Sequence, residues 1–93
     1  MTKLILEWFS DPGHEWLKVH VITVRELKVA HKLSEYSYLS PKGDYYYLEG
    51  DCDAATFINA WESKGGTIEF KYNNSNGYSP IRDMRRLPVF KAA

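Results

Sequence analysis

The chain has a single cysteine, Cys52, so it closes no disulfide within itself. It holds no pair of thiols and no Cys/His set at the spacing of a zinc site. It has no excess of either charge. Twelve basic residues meet twelve acidic ones, and the general electrostatic footprint of a nucleic-acid binder is missing. No apolar run approaches the ~20 residues that span a bilayer. The opening Met1-Thr2-Lys3-Leu4-Ile5-Leu6 lacks the long apolar region of a signal peptide. A cytoplasmic protein of a reducing compartment, with no membrane partner, is expected. There is no low-complexity tract.

Aromatic side chains are abundant. The 93 residues, expected to form one domain over 1–93, include seven Tyr, four Phe and three Trp. A chain of this size buries only about 60–65% of its unfolded surface. So thin a core cannot hide every ring, and some Tyr and Trp are expected at a surface or an interface. Charge neutrality removes the self-repulsion that keeps copies apart, so a homo-oligomer is expected.

The centre of the pattern is Ser10-Asp11-Pro12-Gly13-His14-Glu15-Trp16, the DPGH turn. It carries the strongest turn signal, Pro-Gly, beside a titratable His, two carboxylates and an indole. Lys3 to Phe9 and Glu15 to His20 alternate on either side of it as two strands of an antiparallel hairpin. Residues 23–33 carry mixed signals and are assigned a short helix of about two turns, capped by Thr23. Glu35 to Leu39 and Tyr45 to Glu49 form a second hairpin across Ser40-Pro41-Lys42-Gly43-Asp44. There Tyr36, Tyr38, Tyr45 and Tyr47 are candidates for cross-strand pairing.

Asp51-Cys52-Asp53 opens the clearest helix. Ala54, Phe57, Ile58 and Trp61 form its apolar stripe, an aspartate is expected as its cap, and Lys64-Gly65-Gly66 ends it. Thr67 to Tyr72 is the fifth strand. A polar loop over 73–80, a basic segment and an extended Leu87-Pro88-Val89-Phe90 follow. The order β-β-α-β-β-α-β predicts a small α+β domain, a mostly antiparallel sheet of about five strands with two helices on one face.

Four groups of residues carry candidate chemistry. His14 has the chemistry of a general base, with Asp11 or Glu15 to orient it, yet an Asx turn at Asp11 with His14 closing the hairpin explains the same residues. No Ser or Cys adjoins it, and nucleophilic catalysis has no direct support. Asp51-Cys52-Asp53 lacks a second His or carboxylate cluster to complete a metal site with His14, and helix capping with a buried Cys52 accounts for it. No metal and no cofactor is expected. The tyrosines, with Trp8 and Trp16, suit either a stacking platform for a flat ligand or a sheet with aromatic pairs. Arg82, Arg85 and Arg86 lie within five positions and are placed to grip phosphate or carboxylate. The candidate ligand-binding set is Asp11, His14, Trp16, Tyr36, Tyr38, Arg82 and Arg85, with no catalytic residue assigned.

Asp11-Pro12-Gly13-His14 followed by Trp16-Leu17-Lys18-Val19 resembles a family of small proteins encoded by phages and plasmids. The resemblance continues through Tyr36-Ser37-Tyr38, through Tyr47-Leu48-Glu49 with Asp51-Cys52-Asp53, and at Ile81-Arg82, in the same order over most of the chain. The usual member reads Asp-Pro-Gly-His-Gly-Trp, where this chain has Glu15, and tends to an acidic residue where this chain has Gly50. The resemblance implies a mobile-element origin and transfers no chemistry. With the aromatic excess and the Arg cluster, it leads to the expectation of a non-enzymatic binding protein. Such a protein would inhibit or sequester a host component, either a host protein or a small anionic nucleotide-like ligand, in the contest with host defences. The alternatives are a small enzyme using His14 with Asp11 or Glu15, and a structural homo-oligomeric subunit.

Overall fold

The computed structural model describes residues 3–87. β1 (Lys3–Ser10) and β2 (Glu15–His20) pair antiparallel across the DPGH turn, with Trp8 opposite Leu17 and Phe9 opposite Trp16. Because side chains alternate along a strand, Leu4, Leu6, Trp8, Leu17 and Val19 share one face. Ile5, Glu7, Phe9, Trp16 and Lys18 share the other.

The helix expected over 23–33 is divided. α1 covers Val21–Glu26, and a separate three-residue 3₁₀ turn covers Ala30–Lys32. Thr23 is not its cap. The His20 imidazole takes that place, its Nδ1 accepting from the Ile22 amide at 3.2 Å. Lys28 adopts φ 60° and ends the helix early. The break lets Leu27, Val29 and Leu33 all reach the core, where one continuous helix would have turned some of them to solvent.

β3 is only Tyr38–Leu39, shorter than the expected 35–39, and it pairs with β4 (Tyr45–Glu49), Tyr38 opposite Tyr47. Ser40 ties the turn between them, its hydroxyl donating to Asp44 at 2.7 Å. α2 (Asp53–Ser63) buries Ala54, Phe57 and Trp61, as the stripe predicts. Neither aspartate caps it. Cys52 occupies the cap position without a side-chain bond, and it is exposed rather than buried. Gly65 ends the helix at φ 85°. A Cβ on Gly66 would stand 2.3 Å from the Trp61 indole nitrogen, so only glycine lets that ring lie flat against the backbone.

β5 (Thr67–Asn74) outruns its expected end at Tyr72 because side chains extend the pairing. The Asn73 amide donates to the Trp8 carbonyl at 3.2 Å, and the Ser10 hydroxyl donates to Asn74 at 2.6 Å. β5 lies parallel to β1. A two-residue β6 (Arg85–Arg86) adds a sixth strand beside β3. The result is an α+β fold with a mixed sheet in the order β5-β1-β2-β4-β3-β6. The helices cover one face, where Leu6, Leu17, Val19, Tyr46 and Leu48 pack with Val24, Ala54 and Phe57. On the other face Trp16, Tyr38, Tyr47 and Ile81 form a smaller cluster, with Phe9, Tyr45 and Met84 against it. Leu87 is buried, its amide donating to the Ser37 carbonyl at 3.0 Å. The rest of the expected extension, 88–90, lies outside the described residues.

Candidate functional site

The DPGH turn is a four-residue loop held from inside. Asp11 Oδ1 accepts from the amides of Gly13 at 3.0 Å and His14 at 3.1 Å, the Asx geometry expected of an aspartate before Pro-Gly. The same carboxylate also reaches the far end of the chain. Its Oδ2 accepts from the Ser79 amide at 3.2 Å and from Arg82 Nε at 2.6 Å, while Oδ1 accepts from Arg82 Nη2 at 2.7 Å. This is a bidentate, charge-assisted pair with a nearly buried carboxylate. The guanidinium holds the Asp11 carboxyl well below the ordinary carboxylate range, with the Gly13, Ser79 and His14 amides helping and burial opposing. Gly13 makes room for the pair, since a Cβ there would stand 2.9 Å from Arg82 Nη2.

Ser79 adds a second tie. Its hydroxyl accepts from the Ile81 amide and caps the 3₁₀ turn Pro80–Asp83, which carries Arg82. Tyr78 donates to Asp83 at 3.0 Å, which pushes its phenol above the usual range, and its ring lies 5.7 Å from the Arg82 guanidinium. The turn and the basic segment, distant in sequence, are therefore one unit in space.

Between this unit and β3 lies a cavity of about 260 Å³ lined by His14, Trp16, Tyr36, Tyr38, Glu49, Arg82 and Arg86. Five of the seven residues predicted from sequence meet here. Trp16 and Tyr38 form its floor rather than an open platform, 2% and 6% exposed, with ring centroids 6.2 Å apart and nearly perpendicular. Arg82 stands 5.7 Å over Trp16, and Arg86 stands 5.1 Å over Tyr38. The His14 ring lies 6.0 Å from the Trp16 ring at the rim. Tyr36 is 60% exposed at the lip.

The remaining two predicted residues lie elsewhere. Asp11 supports the cavity from behind through Arg82. Arg85 points away from it, because β6 pairs Arg86 with Tyr38 and Arg85 with Leu39, and Leu39 packs toward the helix-covered face. Arg86 takes its place, further held by a 3.3 Å bond from Nη1 to the Glu35 carbonyl. The general-base arrangement of His14 with Asp11 is not formed, since both Asp11 oxygens are occupied as described.

Two residues were not foreseen. Glu49 enters the cavity because β2–β4 pairing sets it opposite Trp16. Its side chain has no hydrogen bond or ion pair among the described residues. Strand alternation with Tyr47 carried that signal. The other is Asp53, fully buried. Its Oδ2 accepts from the Ser34 amide at 2.9 Å, the Ser34 hydroxyl at 2.8 Å and the Ser37 hydroxyl. Ser37 in turn accepts from the Glu49 amide at 2.9 Å. This buried node sets the segment bearing Tyr36 and Tyr38 against Glu49.

A second, shallower cavity adjoins the first at His14 and Glu49 and is lined by residues 10–15 with Asp51. Here Glu15 and Gly50, the two positions that depart from the resembling pattern, prove to be neighbours. A Cβ at position 50 would meet Glu15 Cγ at 2.6 Å, so the glutamate stem occupies the space that glycine leaves. Cys52 stands nearby. Partial desolvation of its sulfur and the carboxylates of Asp53, Glu49 and Asp51 push its thiol up, the wrong direction for a nucleophile. Among the described residues no group of three or more His, Cys, Asp or Glu is placed to hold a metal ion, and no helix is long and apolar enough to cross a membrane. Compared with protein-family models, curated proteins and solved structures, the chain matches none.

Proposed function

We propose that the protein is a non-enzymatic binding protein of phage or plasmid origin, and that it sequesters a small anionic ligand bearing a flat ring. The observation that carries this is the cavity beside the DPGH turn, where two guanidinium groups stand over two aromatic rings. Its volume of about 260 Å³ suits one ring system with one charged group rather than an extended polymer. Arg82 is already neutralised by Asp11, so Arg86 supplies the free positive charge and Arg82 contributes a fixed donor surface. Glu49 limits the charge the site accepts. A singly or doubly charged ligand with an N–H edge for Glu49 is favoured over a polyphosphate. Tyr36 at the lip closes over the ring by stacking.

Removal of such a ligand from a host would disarm any host process signalled by it, the role expected for a small protein in the contest with host defences. Binding is preferred to acid–base use of His14 with Asp11, because the Asp11 carboxylate is tied to Arg82.

A thermal-shift panel of nucleoside monophosphates, cyclic nucleotides, polyphosphates and aromatic carboxylates tests the proposal. One or more ring-bearing mono- or dianions should raise the melting temperature, and Arg86→Ala should abolish the shift while Arg85→Ala keeps it. If no compound shifts the wild type, or if both arginine variants respond like wild type, the proposal fails.

A further inference from the structure

The two edges of the sheet are unlike. β6, at one edge, is two residues long, which leaves little to pair. β5, at the other, offers eight residues, Thr67–Asn74, with no proline, and among the described residues the one side-chain hydrogen bond to its backbone is at its first residue, where the Trp61 indole N–H donates to the Thr67 carbonyl at 2.9 Å. It is exposed for most of its length, and Tyr72 is 71% exposed. A long unprotected edge is a template for another strand.

The sequence of β5 selects which strand. Its side chains alternate, Ile68, Phe70 and Tyr72 on the helix-covered face and Thr67, Glu69 and Lys71 on the other. When β5 meets an antiparallel copy of itself, like faces must stay together, so only registers centred on a residue are allowed. Centring on Glu69 sets two glutamates opposite each other, and centring on Lys71 sets two lysines opposite each other, both unfavourable. Centring on Phe70 pairs Glu69 with Lys71 twice by symmetry, Ile68 with Tyr72 twice, and Phe70 with itself. This register alone joins unlike charges and like apolar faces. It also continues a row already present in the sheet, where Lys18 is opposite Glu7 and Glu7 is beside Lys71. The next position in that row falls to Glu69 of the second copy.

We infer that the protein forms a symmetric dimer by antiparallel pairing of β5 with β5 of a second copy, centred on Phe70, joining the two sheets into one. The dyad makes the interface self-complementary. It lies at the edge of the sheet opposite β3 and β6, so it leaves the DPGH cavity open. So short an interface sits at the small end of the range, and a dissociation constant on the order of 10⁻⁵ M is expected.

Sedimentation velocity across a concentration series tests this with Glu69→Lys, Lys71→Glu and their equimolar mixture. Wild type should dimerise as concentration rises. Each variant alone sets like charges opposite and should dimerise at least tenfold more weakly. The mixture should recover dimers, because a chain with lysine at both positions then faces a chain with glutamate at both. Both side chains are exposed, and unchanged melting curves would show that each variant folds. Wild type that stays monomeric at about 1 mM, a hundredfold above the expected constant, overturns the inference. So do variants that dimerise as well as wild type, or a mixture that fails to recover dimers.

Discussion

Asp53→Ala is expected to be among the most damaging single substitutions outside the apolar core. Asp53 is fully buried, and its Oδ2 is the acceptor for the Ser34 amide, the Ser34 hydroxyl and the Ser37 hydroxyl. Truncation leaves these donors without a partner. Ser34 is half-buried and its hydroxyl turns to water, but Ser37 is sealed at 0% exposure and the Ser34 amide stays tied to its segment. Each orphaned buried donor costs about 1–3 kcal/mol. Against this runs the relief of Asp53 Oδ1, which is buried without a partner. The net loss is about 2–3 kcal/mol, a fall in melting temperature on the order of 10–20 °C for a domain of this size. Urea denaturation followed by tryptophan fluorescence measures it. Ser37→Ala should also destabilise, since it removes the acceptor of the Glu49 amide. The double variant should lose less than the sum, because each change deletes the other's partner. A loss below about 0.5 kcal/mol for Asp53→Ala, or strict additivity, would refute the node.

Other consequences follow from the same geometry. The Asp11 carboxyl is held below its ordinary value in the fold, so its stabilising contribution is full above about pH 4 and is lost as pH falls through the depressed folded value. Asp11→Asn should therefore melt below wild type at pH 7, and the gap should narrow only in strong acid. Gly50→Ala should cost about 1–2 kcal/mol by displacing Glu15, and Glu15→Gly in the same chain should recover most of it, read by denaturant midpoints. Cys52 is exposed, yet its raised thiol should alkylate with iodoacetamide more slowly at pH 7 than a free cysteine, with the rate climbing as pH rises above 9.

Much of the fold was legible because its elements obey simple periods. β2 falls on its expected residues, β1 and β5 run only slightly longer, and the apolar stripe of α2 is the buried one. The misses have physical causes. Parallel and antiparallel strands alternate alike, so nothing in Thr67 to Tyr72 revealed that β5 joins β1. Thr23 is the commoner cap by residue type, but His20 stands at the bend where the strand gives way to α1, and there its ring nitrogen meets the Ile22 amide. Asp53 has the composition of a cap, and only the fold brings Ser34 and Ser37 to it.

At the site, five of the residues chosen from sequence, His14, Trp16, Tyr36, Tyr38 and Arg82, line one cavity. The Asp11–Arg82 pair stayed hidden because it joins the two ends of the chain. Arg85 and Arg86 are indistinguishable by composition. The pairing of β6 with β3, two residues long, decides which one faces the cavity, and no periodicity extends over so short a strand.

Isothermal titration calorimetry on the purified protein tests the central claim most directly. The titrants are the nucleoside monophosphates, cyclic nucleotides and aromatic carboxylates, run against wild type, Arg86→Ala, Tyr36→Ala and Arg85→Ala. The cavity beside the DPGH turn predicts saturable binding of at least one of them by wild type, weakened tenfold or more by Arg86→Ala and by Tyr36→Ala, and unchanged by Arg85→Ala. Binding that survives Arg86→Ala and Tyr36→Ala at full strength, or no binding by wild type at all, would contradict it.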